Sequence, residues 1–190
     1  MNPAFGANQQ PFAGIPTFMR QPASRDLSGV DAVIVGVPFD GGPNRALQEG
    51  LIDPGAYAQL GIRGPTSGER DLEEARELGA EVFTIERVLE IGIPAMIAHL
   101  QRAFAGRKVY VTLDIDAADP AFAPGTGTPE VGGFTSLQLL QLVRGLRGLQ
   151  IVGFDLVEVN PAYDHGEITA ILAANLAFEF LSLLAVQKSR

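Results

Sequence analysis

The feature that most restricts what this chain can fold into is an alternating run that empties into a carboxylate-rich turn. Val109-Tyr110-Val111-Thr112-Leu113-Asp114-Ile115 leads into Asp116-Ala117-Ala118-Asp119-Pro120, and then into Ala121-Phe122-Ala123-Pro124-Gly125-Thr126-Gly127-Thr128-Pro129-Glu130. Alternating apolar and polar residues predict a strand, and the Pro- and Gly-rich stretch after it predicts a loop, so the segment reads as a buried strand running into a turn. Period-two geometry puts Asp114 and Asp116 on one side of that strand, about two residue rises apart, at its carboxyl end. In open α/β sheets that edge is where ligands bind. Two carboxylates converging in an apolar setting repel each other and lose hydration, at a cost of several kcal/mol unless a cation joins them. A divalent metal is the simplest compensation, because oxygen ligands suit Mg²⁺, Ca²⁺ and Mn²⁺.

Blander readings compete with a metal site. Acidic residues often end strands and cap the next turn, and the Asp114/Asp116/Asp119 cluster alone fits that role. An EF-hand loop fails: Asp119 stands where Gly is needed, and Gly125 stands where the bidentate Glu should be. A phosphatase beginning with Asp-x-Asp would want a downstream basic residue, and the only lysines are Lys108 and Lys188.

Strand and helix patterns alternate along the chain. Residues 1–25 are rich in Pro, Gly, Ala, Asn and Gln without periodicity and read as an irregular arm ahead of a single domain, 26–190. Ala32–Val37, Tyr57–Ile62, Glu81–Ile85, the Asp114 run and Gln150–Val157 read as strands. Helices are predicted from a Thr66/Glu69 capping box through Leu78, stopped by Gly79, from Pro94 to Gly106, and from a Thr135/Gln138 cap to about Leu146. This alternation argues a parallel α/β layer fold. Ile168–Val186 is nearly all apolar and close to bilayer length. Asn175 and Glu179 interrupt it four residues apart, on one face, so it reads as a core helix on a sheet rather than a span.

The fifth strand ends in Asp155-Leu156-Val157-Glu158-Val159-Asn160-Pro161. A buried carboxylate at Glu158 needs a cation. That cation is either a guanidinium ligand, whose planar fork meets a carboxylate bidentately, or an internal arginine such as Arg63 or Arg144. The formal charge of −8 argues against nucleic acid as a partner, and the absence of cysteine excludes disulfides and thiolate chemistry. With no basic-then-apolar leader pattern, the cytoplasm is the expected location.

Two stretches, VTLDIDAADPAFAPGTGTPEVGGFT and VGFDLVEVNPAYDHGEITAILAANLAFEFL, resemble the carboxyl half of the ureohydrolase family, the arginases and agmatinases. FAGIPTFMR and VIVGVPFDGG resemble the start of its bacterial agmatinase and guanidino-acid hydrolase branch, and RALQEGLIDP and QLGIRGP are similar to the family's middle, so the likeness covers nearly all of residues 12–186. The resemblance implies an arginase-like, three-layer α/β/α fold with a parallel sheet. It also implies a dinuclear Mn²⁺ site whose activated water hydrolyses a linear guanidino substrate, agmatine or a guanidino acid, to an amine and urea. Carried over by position, Asp114 bridges the metals, Asp116 ligates one, Glu158 holds the guanidinium, and Gly125, Thr126, Gly127 and Thr128 border the pocket. Asp119 and His165 take structural roles, His165 in local capping.

The departures from the family pattern are as informative. The Gly-Gly-Asp-His, Asp-Ala-His-x-Asp and His-Gly-Thr stretches are missing, and Gly41-Gly42 runs directly into Pro43-Asn44, as if a central block had been removed. Only His99 and His165 remain. The catalytic residue stays unassigned, the sheet is expected to be incomplete, and hydrolysis is expected to be impaired. The alternatives are a non-catalytic subunit that binds itself or a full-length homologue, and a deletion product that folds poorly.

Overall fold

The computed structural model describes residues 53–64 and 70–189. The predicted arm, the Ala32–Val37 strand, the Gly42–Pro43 junction and the Thr66/Glu69 capping box lie outside them.

Strand β1 (Ala58–Ile62) pairs in parallel with β2 (Glu81–Thr84), and helix α1 (Asp71–Glu77) connects them. Glu81–Ile85 was expected to stay extended throughout, but the strand stops at Thr84. The Thr84 hydroxyl accepts the Arg87 N–H at 3.4 Å and starts helix α2, Ile85–Ile91, burying Ile85 and Val88. The cap outweighs the β-branched run because it satisfies one of the amides a helix start leaves free. Gly92 ends α2 in the left-handed region (φ 87°), and α3 (Ile93–Ala103) follows with Pro94 in its first turn, where a missing N–H costs nothing.

The second sheet pairs β3 (Lys108–Asp114) with β4 (Gln150–Val157), again in parallel. Between them runs α4 (Ser136–Gly145). Its capping box is the one predicted: Thr135 accepts the Gln138 N–H at 3.2 Å, and the Gln138 side chain accepts the Thr135 N–H at 2.8 Å. Helix α5 (Ile168–Lys188) closes the described chain. Thr169, Leu172, Ala173, Leu176 and Phe180 form its buried stripe at helical spacing, and Phe180 stacks on Phe154 with ring centroids 4.6 Å apart. Asn175 donates to the Ile171 carbonyl at 2.8 Å, and Glu179 meets Arg144 of α4 at 2.5 Å, so both polar interruptions find partners. By length and composition alone the helix could also cross a bilayer; its other side leaves Ile168, Ile171 and Phe178 exposed.

A single core joins the two strand pairs: Leu60 and Phe83 from one, Val111, Leu113, Phe154 and Leu156 from the other, packed against Val88, Met96, Leu176 and Phe180. Among the described residues the fold is therefore parallel α/β, with its parallel strands in two separate pairs. The strand expected to be buried is covered on one face only. Val109, Val111 and Leu113 turn toward the core, while Lys108, Tyr110, Thr112 and Asp114 are exposed. Strict alternation is the signature of a half-covered sheet; strands buried on both faces read as continuous apolar runs.

Candidate active-site rim at the carboxyl end of the sheet

β3 ends at Asp114, and Ile115–Ala117 wind into a turn of 3₁₀ helix that buries Ile115. Asp116 therefore does not follow Asp114 along a strand, and the period-two argument stops at Asp114. Asp114 is exposed rather than set among apolar groups, which removes the desolvation cost expected for it. The partly buried Asp116 takes a hydrogen bond from the Thr128 hydroxyl at 2.6 Å, tying the turn to the following loop. Burial pushes the Tyr57 phenol up; the Gln59 amide opposes this, and the charge of Asp114 adds to it.

The loop predicted to border a pocket divides into two halves. Gly125 and Thr126 are buried, whereas Gly127 and Thr128 are exposed. The Gly125 N–H donates to the Thr169 hydroxyl at 2.7 Å, and its carbonyl accepts the Asn160 N–H at 2.8 Å. A Cβ at Gly125 would stand 2.6 Å from that of Asp164, so only glycine fits. Thr126 pairs with Val159 in an isolated antiparallel bridge.

Glu158, the residue after β4, is exposed and sits at φ 65°. A left-handed glutamate is strained by about 1–3 kcal/mol, and such outliers concentrate at functional sites. Its Oε2 lies 4.0 Å from where a Cβ on Gly127 would be, so the carboxylate faces the exposed half of the loop. Neither internal cation weighed for it is its partner. Arg144 pairs with Glu179, and Arg63 donates to the main-chain oxygens of Asp116 and Glu130. Asp155, two strand positions before Val157, is held by the Thr112 hydroxyl at 2.6 Å and the Tyr110 hydroxyl at 2.9 Å on the open face.

Asp119 accepts the N–H of Ala121 at 2.9 Å and of Gly132 at 2.8 Å. These bonds, with the charge of Arg63 behind them, hold its carboxyl below the usual range. The capping expected of His165 is performed by Asp164, which accepts the N–H groups of His165, Thr169 and Ala170, each at 3.0 Å. Burial pushes the Asp164 carboxyl up, yet the bonds from Thr169 and Ala170 prevail and lower it. The His165 ring is exposed, and His99 sits elsewhere, its Nε2 2.5 Å from a Glu81 carboxylate oxygen and its ring edge-on to Phe83.

Sequence reasoning did not find the role of Arg63 or the Tyr110–Asp155–Thr112 contact. The signal for the first was an arginine directly after a strand, in Gly61-Ile62-Arg63-Gly64; for the second, period-two spacing of hydroxyls leading to Asp114.

Among the described residues no three His, Cys, Asp or Glu side chains converge as a metal-binding group. A dinuclear manganese centre needs several anionic and imidazole ligands, so these residues do not fit one.

The chain spans about half the length of the relatives it matches. It is 50% identical over 155 residues to the guanidinopropionase of Pseudomonas aeruginosa, covering 82% of this chain and 48% of that protein. It is 46% identical over 160 residues to an agmatinase of an Enterobacter species, covering 83% and 50%. The solved proclavaminate amidino hydrolase of Streptomyces clavuligerus superposes with a TM-score of 0.70 at 44% identity, over 75% of this chain and 46% of that one. Residues 41–182, which hold the Asp114 turn, the Gly125–Thr128 loop and Glu158, match the Arginase family profile, and with this rim geometry around them the chain belongs to the Arginase family.

Proposed function

We propose that this chain carries the carboxylate side of an amidinohydrolase site for a linear guanidino compound, agmatine or a guanidino acid, and that its hydrolysis to an amine and urea is impaired. The observation that carries the reading is Glu158: exposed, strained at φ 65°, and turned toward Gly127. A planar guanidinium offers the paired N–H donors such a carboxylate accepts. The names of the relatives support the substrate class, since guanidinopropionase and agmatinase both denote guanidino substrates.

The impairment follows from ligand chemistry. The carbon of a guanidinium is a poor electrophile, and hydrolysing it calls for a strongly activated water. A bound metal supplies that when its ligand set is complete. By resemblance Asp114 and Asp116 are the manganese positions, but no third ligating side chain joins them among the described residues. We place the chain in the cytoplasm as an oligomer, by analogy with the family.

The test is urea release from agmatine and from 3-guanidinopropionate with added Mn²⁺, run beside titration calorimetry. Binding without urea above an Asp114→Ala control is the expected result, and Glu158→Gln should weaken binding roughly tenfold, since it removes the charge and turns one of the two acceptors into a donor. Urea well above that control overturns the impairment; no binding of either compound overturns the substrate reading.

A second reading is favoured by the exposed face of β3–β4 and by Ile168, Ile171 and Phe178 on the outer side of α5. On it, the chain is a non-catalytic subunit that binds a full-length homologue. Co-purification with such a homologue supports it, and separate elution from the mixture rejects it.

A further inference from the structure

We propose that Arg63 is a positioning residue of the rim: its guanidinium sets where the Asp116 turn and the Gly125–Glu130 loop stand relative to each other. The proposal extends the function above, but it stands on contacts that do not depend on what the rim binds. Arg63 follows β1 directly and reaches across to both loops. Nη2 donates to the carbonyls of Asp116 at 2.6 Å, Glu130 at 2.7 Å and Ala118 at 3.1 Å. Nε donates to Glu130 at 3.2 Å and Val131 at 3.3 Å, and Nη1 reaches back to Gly61 at 3.4 Å. Every one of these acceptors is a main-chain oxygen. Among the described residues the group therefore bonds main chain only, tying the end of its own strand to two loop segments 53 and 67 residues away.

The choice of residue follows from that geometry. Arginine has five N–H donors in a rigid planar fork and no acceptor, and it stays charged at any working pH. A lysine ammonium has three donors on a flexible stem and cannot span the same oxygens at once. The Asp119 carboxylate is fixed by the amides of Ala121 and Gly132 in the same two loops. Space for the fork comes from Gly133: a Cβ there would lie 2.7 Å from Nη2.

The link to the site runs through two hydrogen bonds. Arg63 holds the carbonyl of Asp116, and the carboxylate of that residue is bonded to Thr128 in the loop whose end Arg63 also holds. Releasing the clamp frees both ends of this connection together. The α3 and α5 packing should stay in place, because no acceptor of Arg63 lies in either helix.

The measurement is amide hydrogen exchange on the whole chain as wild type, Arg63→Ala and Arg63→Lys, with agmatine titration of the same samples. The reporting amides are Asp119, which bonds the Phe134 carbonyl, Phe134, which bonds that of Ala117, and Gly132. In Arg63→Ala their exchange should rise roughly tenfold or more, as expected when bonds to a charged group are lost, while amides in α3 and α5 keep their protection. Arg63→Lys should recover part of that protection, and it carries the test should Arg63→Ala not fold. Agmatine affinity should fall in the same order. Unchanged exchange at the reporting amides overturns the proposal. So does a uniform rise that includes α5, which would make Arg63 a general stabiliser. A wild type that fails to bind agmatine overturns the substrate reading alone, because the exchange result decides Arg63 without it.

Discussion

The two faces of the β3–β4 pair share one backbone and differ in almost everything else. On the covered face Val111 sits beside Phe154, and Leu113 beside Leu156, with Phe154 stacked on Phe180 of α5. On the open face Tyr110 lies over Gly153, Thr112 sits beside Asp155, and the row ends at Asp114. The first face has non-directional apolar packing, which yields stability in proportion to area removed from water. The second has hydroxyl–carboxylate bonds in water, each worth little to stability but fixing where charges stand. In this member of the family the covered face carries the packing, and the open face carries the row of hydroxyls and carboxylates that ends at Asp114.

Truncating the stacked ring tests that division most severely. Phe180→Ala should cost about 3–5 kcal/mol in a chemical melt, the range for emptying a closed core position. A loss below about 1 kcal/mol would mean that α5 is not seated on β4 as described.

Gly125→Ala should come next. Its methyl group would run into Asp164, and overpacking of this kind costs about 1–3 kcal/mol. It should also disturb Thr126 and Thr128, because the strain lies in the loop that carries them. A stability equal to wild type would show that loop and helix can separate freely.

Acid should separate the two regions less sharply. Asp119 at the rim and Asp164 at the start of α5 are both held below the ordinary carboxyl value in the folded chain, mainly by amide donors. Their contribution is therefore complete above about pH 4, the unfolded carboxyl range, and is lost as pH falls through the lower folded values. Thermal melts from pH 7 to pH 3 should show the drop confined to the acid end, and Asp164→Asn should flatten it. A variant whose melting point falls as steeply as wild type would remove Asp164 from that account.

Smallest of all should be Tyr110→Phe. The Tyr110 hydroxyl donates to Asp155 on an exposed face, and its ring is 62% exposed, so the melt should move by less than about 1 kcal/mol. A larger shift would mean that the open face carries stability after all and would erase the contrast.

Much of the covered side was legible beforehand, because its signals are local. The Thr135/Gln138 box, Pro94 in a first turn and the limits of β4 each depend on neighbours in the chain, and the structure keeps all three. The start of α2 was readable too, in Thr84 followed by the Ile85/Val88 spacing, but a run of β-branched residues masked it. The rim was less legible, because its contacts join residues far apart. Nothing near Thr128 announces Asp116 as its partner, and nothing near Arg63 announces five carbonyls from three segments.

By itself, the order of residues determined the family, the parallel α/β plan and the chemical identity of the rim carboxylates, since all of these are carried by local pattern and motif. Only the tertiary structure decided which face of β3 is covered, that Asp116 leaves the strand, that Glu158 is turned toward Gly127, and that Arg63 serves backbone rather than a carboxylate. The reason is range: periodicity and capping act over a few residues, whereas burial and hydrogen-bond partnership are settled by whatever the fold brings within about 3 Å.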